Sequence, residues 1–255
     1  MEPENGGWRI TVEQHTTVVS FLLDETGSMQ AIKDDTVGGF NAYLDTLQTD
    51  GANIVCTLVS FNSHETRSRY VAEPLNKVKP LTADTYRPRG TTPLIDAAVT
   101  IINATDDALK KRDDTPNVVI VLQTDGQENA SVEYTRADLA ALITAKEAAN
   151  WQFVFLGAGL DAFTAAHDAG IRLTADRVVS YDRSQSKEAF TETAANVRDF
   201  ARSGRGQELR FRDDQRVRVG DRYTGRHRNP TTGAPQAPSS RQRTSSVDDL
   251  DLSAT

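Results

Sequence analysis

The segment Asn117–Gln123 reads Asn-Val-Val-Ile-Val-Leu-Gln, nearly all β-branched and with no polar alternation. A strand of this kind is buried on both faces, as in a parallel sheet with helices packed on either side. Thr16–Leu23 and Asn53–Phe61 have the same character. Between these runs the apolar period changes from that of a strand to that of a helix. Ile32, Val37, Phe40, Leu44 and Leu47 share one helical face, and Leu94, Ile95, Ala98, Ile101 and Ile102 share another within Pro93–Leu109. Gln152–Leu156 and Arg177–Tyr181 read as further strands, Arg67–Glu73 as a short strand at the sheet edge, and Ser186–Phe200 as the last helix. Thr135-Arg-Ala-Asp138 has the spacing of a capping box opening a helix to Ala149. The alternation predicts an α/β fold: a doubly wound, mostly parallel sheet with helices on both faces.

The periodicity spans about residues 14–200, the predicted domain, after a flexible N-terminus at 1–13. Residues 201–255 are Arg-rich, then rich in Pro, Ser and Thr; they read as a disordered tail, with a small hairpin at Arg210–Arg212 and Arg216–Val219 as the alternative. Charge divides the same way. Residues 1–200 hold 18 Lys and Arg against 29 Asp and Glu, so the domain is a poor nucleic-acid surface, and the acids within the tail weaken that case there too. No run approaches about 18 consecutive apolar residues, which predicts no transmembrane helix. The N-terminus is acidic and lacks the order of a signal peptide. A single cysteine, Cys56, lies inside an apolar run. These features predict a soluble protein of a reducing compartment, the cytoplasm.

The strand at Thr17–Leu23 runs directly into Asp24-Glu-Thr26-Gly-Ser28. One carboxylate and two hydroxyls at alternate positions of a loop can converge on a small hard cation such as Mg²⁺, which takes oxygen ligands in octahedral geometry. The same string also suits a turn in which Thr26 or Ser28 caps the next helix. Two other segments belong with it. Thr124-Asp125-Gly126 follows the buried strand at 118–122, and Arg89-Gly-Thr-Thr92-Pro precedes a helix with Pro93 at its first position and Thr92 as N-cap. Ligands of open parallel sheets collect beyond the carboxyl ends of the strands, where these loops lie.

In these three segments the chain resembles the von Willebrand factor A (vWA) domain family, over roughly residues 15–200. The family's D-x-S-x-S corresponds to Asp24, Thr26 and Ser28, its separate threonine to Thr92 and its later aspartate to Asp125. Asp35-Thr-Val-Gly-Gly-Phe-Asn41 and Thr124-Asp-Gly-Gln-Glu-Asn-Ala130 are similar to stretches of small intracellular members from bacteria and phages. The resemblance implies a Rossmann-like fold and a metal-ion-dependent adhesion site. There Ser28, Thr26 and often Thr92 touch Mg²⁺ (or Mn²⁺), while Asp24 and Asp125 act largely through bound waters. It further implies a protein partner that presents an Asp or Glu to the metal, and no catalytic base. Thr26 stands where the family usually has serine, and the adjacent Thr91 is the alternative to Thr92.

Other functions weigh less. Gly157-x-Gly159-x-x-Ala162 has the outline of a dinucleotide fingerprint, with Asp182 further on, but it follows a late strand rather than the first. The plainer expectation is a glycine turn with close helix–strand packing. Thr26 stands where a phosphotransfer hydrolase would need a second carboxylate, Gly27-Ser-Met lacks the lysine of a P-loop, and no histidine falls at a convincing strand tip. A structural scaffold with a vestigial metal site is the remaining alternative.

Overall fold

A computed structural model describes residues 16–49, 53–203, 208–223 and 225. The N-terminal segment at 1–13 and the Pro/Ser/Thr-rich part of the tail lie outside the described residues. The strands are β1 (Thr17–Asp24), β2 (Ile54–Phe61), β3 (Thr66–Pro74), β4 (Asn117–Thr124), β5 (Gln152–Ala158) and β6 (Val178–Tyr181). They form one six-stranded sheet in the order β3-β2-β1-β4-β5-β6. All pairings are parallel except β2 with β3, whose short connection at residues 62–65 forces an antiparallel edge.

The helices are α1 (Lys33–Gln48), α2 (Leu94–Leu109), α3 (Arg136–Ala148), α4 (Ala162–Asp168), α5 (Ser186–Ser203) and α6 (Asp213–Arg218). Successive strand residues point to opposite faces, so each strand feeds two cores. Val19, Phe21, Leu23, Val119 and Val121 pack with Phe40, Tyr43 and Leu44 of α1 and Phe190 and Val197 of α5. Leu22, Val118, Ile120 and Leu122 pack on the other face with Ile95, Ala98 and Ile102 of α2, Leu139 and Ile143 of α3, and Phe163 of α4. Burial of β1 and β4 on both faces, read from their composition, is what the structure has.

Between α1 and α5 the spacing is set by Gly39. A Cβ there would lie 3.1 Å from Phe190 Cδ2 and 3.2 Å from the Ser186 carbonyl oxygen, whereas one at Gly38 meets nothing within 4 Å. The capping box at Thr135 and Asp138 forms as the spacing predicts.

The expected end of the ordered domain near residue 200 is corrected for residues 208–223. Leu209, Phe211 and Val219 are buried in the same core as α1 and α5. Neither the expected disorder nor the alternative hairpin is found at Asp213–Arg218, which forms α6. Arg216, on this helix, is buried with acceptors for both terminal nitrogens of its guanidinium: it donates to the carbonyls of Val178 at 2.8 Å and Ala175 at 2.6 Å, and pairs with Asp221 at 2.8 Å. A composition that reads as solvated thus contains one cation with three acceptors waiting for it. No helix among the described residues is long and apolar enough to cross a membrane.

Candidate functional site

From β1 the chain moves outward to β2 and β3, then returns to the other side of β1 for β4. Loops leaving the carboxyl ends of β1 and β4 therefore diverge and leave a crevice between them. Asp24 is the last residue of β1, and Asp125 follows the last residue of β4. Both carboxylates are buried.

Asp24 is held by its neighbours. Its Oδ1 accepts from the Thr26 amide at 2.7 Å, and its Oδ2 accepts from Thr124 Oγ1 at 2.5 Å. Burial raises its pKa to about 6; the bonds from Thr124 and Thr26 oppose that rise, and the charge of Asp125 adds to it. Ser28 Oγ donates to Asp125 Oδ1 at 2.5 Å, and Thr26 Oγ1 lies 3.2 Å from Ser28 Oγ. Asp125 Oδ2 accepts from Arg183 Nη2 at 3.2 Å.

Thr92 reaches the cluster from the start of α2. The spacing predicts that it caps that helix, but Pro93 is the N-cap residue instead and supplies no side-chain bond. The first turn is capped from the loop after β4 instead. Glu128 Oε2 accepts from the Ile95 amide at 2.8 Å, and Ser131 Oγ accepts from the Asp96 amide at 3.1 Å. Asn129 clasps the Thr92 backbone, its Oδ1 accepting from the Thr92 amide at 2.8 Å and its own amide donating to the Thr92 carbonyl at 3.1 Å. The threonine side chain is thereby released from capping. A Cβ on Gly126 would lie 3.3 Å from Thr92 Oγ1, 3.8 Å from Ser28 Oγ and 4.0 Å from Thr124 Oγ1, so three hydroxyls gather beside this glycine and a side chain there would press on Thr92 Oγ1. The neighbouring Thr91 is exposed, and its backbone pairs with Ser63. Of the two threonines, Thr92 faces the cluster.

Beneath these residues Glu25 braces the loop. It is buried, pairs with Arg69 at 2.8 Å and Arg67 at 3.3 Å, and accepts from the Arg87 amide at 2.5 Å. Burial pushes its pKa up, but the Arg87 amide, Ser60 and Arg69 outweigh it and hold the carboxyl below its ordinary value. The Gly27 amide donates to the Gly90 carbonyl at 3.0 Å, joining the first loop to the segment that carries Thr92.

The structure thus brings Asp24, Thr26, Ser28, Thr92 and Asp125 to one end of the sheet. Their donor atoms are all oxygen, which suits a hard divalent cation. Among the described residues no group of three or more His, Cys, Asp and Glu side chains converges, so a cation here would rest largely on hydroxyls. Ser28 is exposed and marks the open side; Asp24, Thr26 and Thr92 lie behind it.

The glycines of the dinucleotide-like string serve packing. A Cβ on Gly157 would come within 2.6 Å of Ala162 Cβ, and one on Gly159, whose φ is +69°, within 2.9 Å of Arg183 Nε. Asp182 is engaged in capping the turn at Arg183–Gln185. Sequence reasoning missed Thr124, Asn129 and Arg183. A hydroxyl on the last residue of β4, next to Asp125, is a signal for the first; nothing local marks the other two.

Comparison with known proteins agrees with this architecture. No family model and no curated protein matches the chain. Among solved structures, a von Willebrand factor type A protein from Catenulispora acidiphila superposes at a TM-score of 0.50 with 18% identity, covering 72% of this chain and 43% of that one. Proximal thread matrix protein 1 from the mussel byssus gives 0.51 with 12% identity, over 71% and 48% of the two chains. The von Willebrand factor domain of the type V pili tip protein Mfa5 from Porphyromonas gingivalis gives 0.55 with 11% identity, over 76% and 98%. This chain spans less than half the length of the first two. At such identities the likeness is one of fold: the chain has the vWA fold.

Proposed function

We propose that this domain is a divalent-cation-dependent protein-binding module, serving adhesion or assembly. In this reading Asp24, Thr26, Ser28, Thr92 and Asp125 hold Mg²⁺ or Mn²⁺, directly or through water. The observation that carries it is the convergence of these five residues at the crevice between β1 and β4, with Ser28 on its open side. When bound, the cation supplies an electrophilic centre for an oxygen ligand from outside. With few carboxylates around it, such an ion keeps attraction for one more, which an Asp or Glu of a partner protein provides. No proton transfer is asked of any residue, so the reading is of a binding device rather than an enzyme. The buried, unpaired Cys56 suits a reducing compartment, and we place the module in the cytoplasm.

Calorimetric titration with MgCl₂ and MnCl₂ tests the metal, with one saturable site expected in the wild type and none in Asp24→Ala. Capture of partners from native lysate in Mg²⁺, in EDTA and with Asp24→Ala then tests adhesion. Absence of cation-binding heat in the wild type overturns the metal assignment. Equal retention of partners in all three arms overturns the adhesion mechanism.

A further inference from the structure

Arg183 lies far from the three motif segments in sequence, yet its guanidinium is aimed at their cluster. It opens the turn that follows β6, and that turn is fixed on both sides. Asp182 Oδ1 accepts from the Ser184 amide at 3.0 Å, and the Arg183 carbonyl accepts from Ser186 Oγ at 2.7 Å. From this anchor the side chain runs over Gly159, where a Cβ would lie 2.9 Å from Nε and 3.1 Å from Cγ. The bare glycine is what lets the arginine lie flat across the tip of β5. It ends with Nη2 3.2 Å from Asp125 Oδ2.

The charge balance gives this contact its meaning. Asp24 and Asp125 are buried carboxylates on neighbouring strand ends, and among the described residues Arg183 is the one cationic side chain within ion-pair distance of either. A buried carboxylate with no cation beside it is strongly unfavourable, so the pair is worth most when no metal is present. The two partners differ in access. The Asp125 side chain is fully buried, while that of Arg183 is 46% exposed and makes no other hydrogen bond or ion pair among the described residues. The arginine can swing into water without leaving a buried donor unpaired.

We propose that Arg183 is a built-in counter-ion for the site, neutralising Asp125 when no divalent cation is bound and competing with the cation for it. The inference rests on the metal-binding reading above. It makes Arg183 a positioning residue that sets the threshold cation concentration, distinct from the groups that hold the ion.

Calorimetric titration of the full chain with MnCl₂ at low ionic strength, in the wild type, Arg183→Gln and Arg183→Lys, tests this together with thermal unfolding of each metal-free protein. Loss of the competing charge at this range tightens Mn²⁺ binding by Arg183→Gln on the order of tenfold or more. Arg183→Lys, which keeps a cation, stays within about threefold of the wild type. Metal-free Arg183→Gln unfolds at a lower temperature than the wild type, and Mn²⁺ raises its midpoint by more. A residue with a merely structural role would lower the midpoint without tightening Mn²⁺ binding. Mn²⁺ affinity in Arg183→Gln that is unchanged or weaker, beside saturable binding by the wild type, overturns the counter-ion role and leaves the metal assignment standing. No binding heat in any of the three proteins overturns both.

Discussion

Ser28 and Asp125, 97 residues apart in sequence, are joined by a hydrogen bond of 2.5 Å from Ser28 Oγ to Asp125 Oδ1. The contact spans the crevice between β1 and β4 and ties two of the three motif segments together.

Replacing Ser28 with alanine tests what that hydroxyl contributes. The residue is exposed but its hydroxyl serves a buried carboxylate, so Ser28→Ala leaves Asp125 Oδ1 without this donor and lowers metal-free stability by about 1–3 kcal/mol. Mn²⁺ affinity falls on the order of tenfold, the equivalent of about 1.4 kcal/mol. Urea unfolding and calorimetric titration on the same preparation separate the two effects.

Asp24 gives a pH dependence of definite sign. Its folded-state pKa of about 6 lies above the ordinary 3.8, chiefly through burial, so the metal-free fold holds this proton more tightly than the unfolded chain does. The stabilisation that follows is fully present below about pH 4 and is lost as pH rises through about 6, a total of about 3 kcal/mol. Metal-free Asp24→Asn is therefore more stable than the wild type at pH 7.5 by about 1–3 kcal/mol, and the gap narrows as pH falls through about 6 and closes toward about pH 4. Taking the difference between the two proteins in urea titrations across this range cancels the opposite contribution of Glu25. A gap that is constant with pH would contradict the assignment.

Adjacent glycines in α1 should respond in opposite directions. Gly39→Val forces methyl groups against Phe190 and the Ser186 carbonyl, and costs about 1–3 kcal/mol. Gly38→Ala meets open space on an exposed helical position and adds about 0.5–1 kcal/mol. Thermal unfolding of the two variants reads out both signs.

Arg216 and Arg222 offer a similar contrast near the end of the described chain. Arg216→Ala leaves Asp221 and the carbonyls of Val178 and Ala175 without this donor, and costs about 3–5 kcal/mol. Arg222 is exposed, and its pair with Asp182 at 3.3 Å is a surface one, so Arg222→Ala costs less than about 1 kcal/mol. Equal effects in denaturant titrations would contradict the structural account of residues 208–223.

Much of this architecture was legible because it depends on local chemistry. The β-branched runs of β1 and β4 declare double-sided burial, and Thr135 with Asp138 declares a helix start. The motif segments at Asp24, Thr92 and Asp125 fall at strand and helix ends, where a parallel sheet gathers its loops. What was not legible depends on partners distant in sequence. Thr92 carries every local mark of an N-cap, and only the arrival of Glu128 and Ser131 at the first turn of α2 frees it. Arg216 sits among arginines, and nothing nearby shows that two carbonyls and Asp221 await it. Arg183 is likewise an ordinary loop arginine until the fold lays it across Gly159 onto Asp125.

The placement of the two carboxylates bears on how long the site endures. Asp24 and Asp125 stand at the ends of β1 and β4, each of which has a paired strand on both sides. Spreading them apart means splitting the sheet along its middle, the last part of such a structure to open. Amide protons of Leu23 and Gln123 will therefore exchange with solvent only when the whole domain unfolds, well after those of the edge strand β3. The lifetime of the crevice is the lifetime of the fold itself.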